Sequence, residues 1–548
     1  MSASHEAAAP HSLAVGKLKQ ALTFGLLLLI CFLAIGRDLW TPDEPREAEI
    51  SREMSLAPTV IPTLDGQPFI EKPPLYYWTV AAVYSLTGGA SATAARSVSA
   101  VAAFLTLLVL FLWGRREFSD GTALAACIGL ATSVQFMIST HWVLIDPMLM
   151  LFTTVAAWAG WELIKNGRRP RVALALYVAL ALALWTKGLV GPVLIGCGLV
   201  TFTIWERSAE PLRRLYPLIG ILAFIAATAS VAGLIYYNGG WSDLREWFWV
   251  NHVERFVSPT YTGHDQPFYY YLSAIPIAVM PWWVPFADLF RPSRWRGPPT
   301  EHLRLKRYLA SMFIGMALFL SASATKRGTY LLPMLPLVFL LLAARATEWW
   351  SALQAGPLKS NAWRIQVGLI VAFAAGLPLL AMIYLHTVDV RSILFLVVLA
   401  LVVALLIGYA RRGRLKKAAL ALAVCAVACP VALLGIVANL AKAQKDMSPY
   451  ISWVGRQIPP GQSVYAIGKI DETLEAIVPF VTGRKLVPLQ PADIAKQQPA
   501  YVLVQDGSGG RTAPALGPAY VLLRGRSFGP GRYLALWHLR DSDGSGSR

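Results

Sequence analysis

The chain has 548 residues, of which 56% are hydrophobic, and its mean hydropathy is +0.51. These values exclude an ordinary soluble domain, in which apolar residues make up about half and come in short amphipathic elements. The formal net charge of +18 does not indicate a nucleic-acid partner. Most lysines and arginines lie in short loops between apolar stretches, where they determine membrane topology.

Long apolar stretches recur along most of the chain. Each has about 17 to 25 residues, the length that crosses a bilayer as a helix, so the sequence predicts a polytopic α-helical membrane protein. We interpret the first stretch, which follows a weakly basic start, as an uncleaved signal anchor. Hydropathy alone marks about fourteen such windows. They lie near 21–36, 74–88, 96–113, 122–140, 144–164, 171–187, 189–206, 215–237, 269–290, 307–323, 329–346, 364–386, 391–410 and 417–440.

The charges of the connecting loops decide which window does not cross. If 74–88 stays outside the bilayer core, the basic loops fall on the same side as Lys17 and Lys19, and this side is the cytoplasm. We therefore predict about thirteen spans, accompanied by outer juxtamembrane helices. The window 74–88 is then a helix that lies in or re-enters the outer interface, because its opening prolines suit a helix start and its aromatic residues favour an interface.

Under this topology the polar loop 37–95 and everything after about residue 440 face the outer side. We predict a transmembrane domain over 1–440, with the chemistry in loop 37–95, and an outer α/β domain over 441–548. We interpret the second domain as a lid or docking module, because it has no glycine-rich phosphate loop and no histidine pair. Helices are expected at 446–458 and 472–481, and strands near 463–468, 500–504, 518–523 and 531–538.

The segment 41–78 concentrates charge in a chain where only 15% of residues are charged. Its sequence DEPREAEISREM is typical of a helix with Asp43 and Glu44 at the N-terminus. One interpretation is that these carboxylates only cap the helix, while Glu49 pairs with Arg52. The other is that one of them acts as a base or charge stabiliser, because a carboxylate near a helix N-terminus is held ionised.

Further polar residues lie at the predicted membrane boundary. Asp146 opens a span after HWVLI, and both a functional role and helix capping remain open for it. Lys326 and Tyr330 lie in ATKRGTYLLP, where phosphate binding competes with simple snorkelling of the lysine. Basic residues on the outer side oppose the orientation signal, which indicates an anionic partner. They are Lys72, Lys187, Arg255, Lys326 and Arg327.

One histidine raises the question of a metal. His252 lies in FWVNHVERF, beside Glu254 and Arg255. With Glu71 it would form a divalent metal site only if the fold joined two loops that are far apart in the chain. No HExxH spacing supports this. We keep a metal held by Glu71 and His252 as an alternative to a site that requires no cofactor.

Five motifs together resemble one known family. They are the acidic DEPREAEISREM after the first span, EKPPLYYW, HWVLIDPMLM, NHVERF and KRGTYLLPMLP. As a set they resemble the C-type glycosyltransferases of the protein mannosyltransferase superfamily, and most of all the bacterial lipid A aminoarabinose transferases. The motifs span residues 41–337, and the predicted span layout with an outer C-terminal domain extends the likeness to nearly the whole chain.

The resemblance implies inverting transfer of a sugar, 4-amino-4-deoxy-L-arabinose in this branch, from an undecaprenyl phosphate donor to a lipid A phosphate. It implies a monomer among membrane lipids in the bacterial inner membrane, with the active site and the C-terminal domain in the periplasm. It also implies that Asp43 is the catalytic carboxylate and Asp146 a second acidic residue. The implied ligands of the donor phosphate are Lys72, Arg255, Arg46, Lys326 and Tyr330.

Two other functions remain to be weighed. A protein O-mannosyltransferase, or another glycan glycosyltransferase, would use the same kind of donor and differ only in its acceptor. The identity of the acceptor cannot be inferred from the sequence. A lipid or sugar transporter belongs to another class. Against a transporter, the apolar spans carry few charges at mid-membrane, no inverted repeat is visible, and the polar groups gather on one predicted face.

Overall fold

The computed structural model describes residues 21–33, 35–258, 266–296, 300–354, 360–385, 390–437, 442, 444–507, 516–528 and 532–540. The basic start with Lys17 and Lys19 and the segment after residue 540 lie outside the described residues. The chain forms two compact units, Met1–Ile35 with Ser99–Ile436 (the helical unit) and Gly36–Val98 with Val437–Arg548 (the mixed unit).

This division differs from the predicted one. The sequence analysis assigned loop 37–95 to the transmembrane domain, whereas these residues pack with the residues after 437. The physical reason is a helix pair, because Asp43–Leu56, hereafter the acidic helix, packs against Glu472–Thr482.

Long apolar helices dominate the helical unit and identify the chain as a multi-pass membrane protein. Nine helices in the described residues are long and apolar enough to cross a membrane, or ten if a pair bent by 66° counts as one span. The remaining helices are short, and they connect or end the long ones. The α-helices and the two π-helices that lie wholly or mostly in the helical unit are Ala21–Phe32, Ala92–Glu117, Asp120–Ala131, Val134–Thr140, Asp146–Asn166, Pro170–Lys187, Val190–Glu206, Glu210–Arg214, Pro217–Arg245, Glu246–Glu254 (π), Arg255–Val257, Tyr270–Val279, Trp283–Asp288, Glu301–Ala322, Leu335–Gln354, Asn361–Leu385, Val390–Arg411, Leu415–Ala432 and Leu433–Val437 (π).

Two 3-10 segments, Pro292–Trp295 and Gly328–Met334, lie between the helices of this unit.

Small residues let helices of this unit approach closely, as in other membrane bundles. A Cβ added to Gly315 would lie 2.4 Å from the carbonyl oxygen of Cys197, so the helices Val190–Glu206 and Glu301–Ala322 pack backbone to backbone there. A larger residue at position 315 would force these helices apart.

The mixed unit begins with three elements that follow the first apolar helix. The acidic helix Asp43–Leu56 is followed by a two-stranded hairpin, β1 (Thr63–Leu64) and β2 (Gln67–Pro68), and by the helix Leu75–Thr87. This last helix confirms the helix predicted at 74–88. Its 13 residues rise about 20 Å, less than the hydrocarbon core of about 30 Å, so its length agrees with a segment that does not cross.

A five-stranded sheet forms the rest of the mixed unit. Its order is β4-β3-β5-β7-β6, in which β3 pairs in parallel with β4 and β5, and β7 pairs antiparallel with β5 and β6. The predicted α/β character is confirmed, while β4 and the third helix below were not predicted. The strands are β3 (Val464–Gly468), β4 (Leu486–Pro488), β5 (Tyr501–Asp506), β6 (Tyr520–Ser527) and β7 (Tyr533–Leu539), and the helices are Ser448–Gln457, Glu472–Thr482 and Pro491–Gln497.

A buried ion-pair network holds the start of the acidic helix. Glu44 is fully buried and accepts hydrogen bonds from Arg96 Nε at 2.7 Å, from Arg37 Nη1 at 2.6 Å and from the backbone N–H of Trp40 at 2.7 Å. Burial alone would raise the pKa of Glu44, but the charges of Arg96 and Arg37 outweigh burial, so its pKa is lowered. The network therefore fixes the helix that carries Asp43.

We expect Arg96→Met to destabilise the protein strongly, because Glu44 would keep its charge while losing its fully buried partner. Breaking such a pair costs about 3–5 kcal/mol in the free energy of unfolding. Thermal unfolding in detergent measures this. Arg115→Met on the same helix is the matched control, since Arg115 is 45% exposed in its pair with Asp120 and should contribute about 0–1 kcal/mol. Equal melting temperatures for the two variants would contradict the structural role of Arg96.

Candidate active site

Asp43 lies at the first position of the acidic helix. Pro42 occupies the N-cap position, and Asp43 is only 5% exposed. Its Oδ1 accepts a hydrogen bond from Arg46 Nη2 at 3.2 Å, one turn along the helix. Asp43 and Arg46 share a face because residues three and four apart on a helix are neighbours. This geometry places the predicted catalytic carboxylate beside one of the predicted phosphate ligands.

Arg46 is held by three carboxylates. Besides Asp43, its Nη2 donates to Glu47 Oε1 at 3.0 Å and its Nη1 donates to Glu472 Oε2 at 2.6 Å. Glu472 opens the helix Glu472–Thr482, so the C-terminal part of the mixed unit contributes directly to the position of Arg46. The guanidinium is thereby fixed in orientation before any ligand arrives, which is the condition for efficient electrostatic stabilisation.

Lys72 reaches the same place from the other end of the polar segment. Its Nζ donates to Glu47 Oε1 at 2.6 Å and lies 5.8 Å from the centre of the Phe69 ring. Lys72 is 25 residues from Glu47, and the β1–β2 hairpin turns the chain back between them. The structure thus brings Asp43, Arg46 and Lys72 together around Glu47, and we call these four residues the Glu47 cluster.

One buried polar atom of this region, the Nε of Arg46, has no hydrogen-bond partner, while the hydroxyl of Tyr77 lies beside the carboxylate of Glu47. Buried polar groups are nearly always paired in folded proteins, so the unpaired Nε indicates room for an acceptor oxygen of a ligand. With two fixed cations and two carboxylates, the cluster can bind a phosphate and a sugar hydroxyl or ammonium side by side.

Sequence analysis did not single out Glu47 as a site residue. Its position four residues after Asp43 placed it on the same helix face, and this was the signal available. Burial raises the pKa of a carboxylate, but the charges of Lys72 and Arg46 outweigh burial here and lower the pKa of Glu47. Glu47 is therefore an anion, and an anionic ligand of Lys72 and Arg46 would compete with it for these cations.

A second group of predicted residues meets in the helical unit. Asp146 is the first residue of its helix, with Ile145 at the N-cap position, and its Oδ1 accepts from Lys187 Nζ at 2.6 Å. The same ammonium lies 4.6 Å from the centre of the Tyr330 ring. Lys187 was recognised as an unusual outer cation but not as a site residue. Its partner, 41 residues earlier in the chain, could not be inferred from sequence spacing.

The remaining predicted phosphate ligands lie near the turn between two helices of the same unit. Lys326 is 4% exposed, and its ammonium donates to the carbonyl oxygens of Gln266 and Ser323. Thr325 donates a long hydrogen bond of 3.4 Å to the carbonyl oxygen of Arg255. The structure thus brings the segments of Arg255 and Lys326 together, whereas the roles of their side chains stay predictions.

The metal alternative does not fit the contacts of His252. Its Nε2 accepts from the backbone N–H of Leu189 at 3.2 Å, and its Nδ1 donates to the carbonyl oxygen of Trp247 at 2.7 Å. A histidine binds a metal through a free ring nitrogen, and both nitrogens are used here. Within the described parts of the chain, no group of three or more His, Cys, Asp or Glu side chains could hold a metal ion.

Comparisons with known proteins test the resemblance to the protein mannosyltransferase superfamily. The family model for dolichyl-phosphate-mannose-protein mannosyltransferases matches residues 71–233. An undecaprenyl phosphate-alpha-4-amino-4-deoxy-L-arabinose arabinosyl transferase of Aeromonas salmonicida is 31% identical over 359 residues, which is 63% of each chain. A protein of the same name from Pseudomonas fluorescens is 28% identical over 67% of this chain and 62% of the relative. The chain thus matches somewhat less than two thirds of the length of these curated relatives.

Solved structures extend the likeness to the fold. The crystal structure of ArnT from Cupriavidus metallidurans bound to undecaprenyl phosphate aligns with a TM-score of 0.73 at 21% sequence identity. The alignment covers 94% of this chain and 97% of that one. The apo structure of the same protein aligns with a TM-score of 0.71. These comparisons confirm the resemblance to aminoarabinose transferases, and the chain has the ArnT fold.

Proposed function

We propose that this protein transfers 4-amino-4-deoxy-L-arabinose from undecaprenyl phosphate to a phosphate group of lipid A. The observation that carries the proposal is the Glu47 cluster, where two fixed cations lie beside a buried carboxylate at the start of a helix. The similarity to arabinosyl transferases supports the choice of sugar and donor. The fold shared with a protein crystallised with undecaprenyl phosphate supports the same donor.

The reaction is a displacement at the anomeric carbon of the sugar. An oxygen of the acceptor phosphate forms a bond to this carbon while the bond to the donor phosphate oxygen breaks, and the configuration inverts. The electron pair of the broken bond stays on the leaving phosphate. Lys72 and Arg46 stabilise the charge that develops there, and fixed donors in a site with little water do this efficiently.

Asp43 positions the reactants. A phosphate acceptor has a second pKa of about 6 and is already a nucleophile at neutral pH, so it needs no strong base. Asp43 then orients the acceptor or holds the amino group of the sugar. A hydroxyl acceptor, as in a protein O-mannosyltransferase, would need Asp43 as a general base. For the helical unit, we keep the proposed roles that the resemblance implies. Asp146 is a second acidic residue there, and Arg255, Lys326 and Tyr330 are phosphate ligands.

The proposed location is the bacterial inner membrane, with about thirteen spans and the polar loop 37–95 in the periplasm. In the described residues, nine long apolar helices, one bent pair and three shorter apolar helices overlap the thirteen windows other than 74–88, which supports the proposed number of spans. Basic residues in the loops support the orientation. We expect the protein to work as a monomer among membrane lipids.

Reporter fusions test this topology. We expect a reporter fused after residue 445 to be periplasmic and one fused after residue 412 to be cytoplasmic, because the basic loop 411–417 should stay inside. Alkaline phosphatase and green fluorescent protein fusions at both positions provide opposite readouts. Both fusions reporting from the same side would contradict the orientation.

A reconstituted assay tests the activity itself. Purified protein in liposomes with undecaprenyl-linked aminoarabinose and lipid A should yield glycosylated lipid A and undecaprenyl phosphate. A transporter or flippase would leave the bond between sugar and phosphate intact. Replacing lipid A by a serine-containing peptide distinguishes the phosphate acceptor from the hydroxyl acceptor. Transfer to the peptide alone would contradict the proposed acceptor.

A further inference from the structure

Glu47 contacts Lys72 and Arg46, the two cations of its cluster that the proposed function assigns to the donor phosphate. A single oxygen, Oε1, accepts from Lys72 Nζ at 2.6 Å and from Arg46 Nη2 at 3.0 Å. The Glu47 side chain is 2% exposed, and those of Lys72 and Arg46 are 16% and 14% exposed. A phosphate that binds these two cations must therefore replace Glu47 as their partner.

The charge of this phosphate changes during the proposed reaction. In the donor it is a diester with one negative charge, and after the sugar leaves it is a monoester with about −1.5 to −2 at pH 7. The acceptor phosphate changes from monoester to diester, so total charge is conserved and no proton has to move. Lys72 and Arg46 consequently attract the product more strongly than the substrate. Such a site releases its product slowly unless another anion competes for the cations.

We propose that Glu47 is this competitor. Its carboxylate pairs with Lys72 and Arg46 between turnovers and is displaced by the phosphate of the donor. After the reaction it pairs with the two cations again, so that the polyprenyl phosphate dissociates. The inference rests on the proposed function, because it takes the leaving group to be a phosphate bound by these cations. It makes Glu47 a positioning residue that acts through Lys72 and Arg46.

The contacts of Glu47 explain how a donor phosphate can displace its carboxylate from the two cations. The Nε of Arg46 is buried without a hydrogen-bond partner, so the pairing leaves a polar atom unsatisfied. A buried network that is partly satisfied is less stable than a complete one. A phosphate brings more acceptor oxygens than the bound Oε1 and can satisfy the Nε of Arg46. The ion pairs of Glu47 are thus strong enough to compete with the product phosphate and weak enough for the donor phosphate to replace them.

Glu47→Gln tests the inference, because glutamine keeps the shape and removes the charge. The equilibrium affinity for undecaprenyl phosphate, measured with purified protein in detergent at fixed salt, should rise about tenfold or more, the effect of a close charged group in a buried site. In the transfer assay, kcat and the KM for the donor should both fall. Damage to the fold would instead weaken binding.

Two further variants keep the result interpretable. Glu53→Gln removes a carboxylate from the same helix, where Glu53 contacts Thr63 and Gly66, and it should change the affinity by about twofold or less. Glu47→Asp keeps the charge but shortens the side chain, so it should also tighten undecaprenyl phosphate binding, although less than glutamine does. This second variant tests the inference if Glu47→Gln fails to fold.

The outcomes separate the inference from the proposed function. If the unmodified protein binds undecaprenyl phosphate and the Glu47 variants bind it equally or more weakly, the inference is wrong and the proposed function stands. If the unmodified protein does not bind undecaprenyl phosphate, the proposed function fails and the inference fails with it. Tighter binding by the Glu47 variants together with a lower kcat supports both.

Discussion

Asp43→Asn should lower the turnover number by about two orders of magnitude or more while leaving the fold intact. Asparagine keeps the size of the side chain and most of its hydrogen bonding, and it removes the charge that lies 3.2 Å from Arg46. If Asp43 only stabilised the helix N-terminus, the change would cost about 0.3–1 kcal/mol of stability and leave turnover unaffected. Steady-state rates and thermal unfolding of the same preparations separate the two roles.

Two comparisons sharpen this result. Asp65→Asn is the matched control, because Asp65 lies in the same polar segment between the hairpin strands β1 and β2, and its turnover should be unchanged. Asp146→Asn tests the second acidic residue through its contact with Lys187. The size of the loss at Asp43 also reports on the acceptor, since a hydroxyl depends on a base more than a phosphate does. A fully active Asp43→Asn protein would mean that the chemistry lies elsewhere.

The second large effect is expected for Lys72→Met, which keeps most of the length of the side chain and removes its charge. Losing a fixed donor at a developing negative charge costs about 3 kcal/mol in the barrier, a rate loss of about two orders of magnitude. Because Arg46 still pairs with Glu47 at 3.0 Å, the acidic helix should remain folded. The measurement is the rate of donor turnover at saturating acceptor.

Lys485→Met provides the control for this variant. Lys485 is an exposed lysine of the same mixed unit, so the same substitution there should leave turnover unchanged. Arg255→Ala tests the phosphate ligand that the resemblance implies in the helical unit, and it should also lose turnover while folding normally. Normal rates in both Lys72→Met and Arg255→Ala would leave the predicted phosphate ligands without support.

Much of the fold could be predicted because its signals are local. Apolar stretches long enough to cross a bilayer are visible in the sequence alone, and short apolar segments marked the strands after residue 460. β4 (Leu486–Pro488) was not recognised because three residues carry no periodicity. It exists because Leu486 pairs with Val464 of β3, and tertiary pairing of this kind outweighs local propensity.

The site could be predicted only in part, for a similar reason. Asp43, Arg46 and Lys72 were predicted through motifs that each occupy a few consecutive residues, and the structure brings them together. Glu47 contacts Lys72 and Lys187 contacts Asp146, and neither contact could be predicted because each joins distant parts of the chain. The packing of loop 37–95 also depends on such a contact, between the acidic helix and Glu472–Thr482.

The central claim is transfer of aminoarabinose to lipid A, and mass spectrometry of lipid A tests it most directly. The protein is expressed in cells that make the undecaprenyl-linked aminoarabinose donor but lack their own transferase, and Asp43→Asn is expressed to the same level. The account predicts lipid A species heavier by one aminoarabinose per modified phosphate with the unmodified protein, and none with Asp43→Asn. Unmodified lipid A in both strains, with the protein present in the membrane, would contradict it.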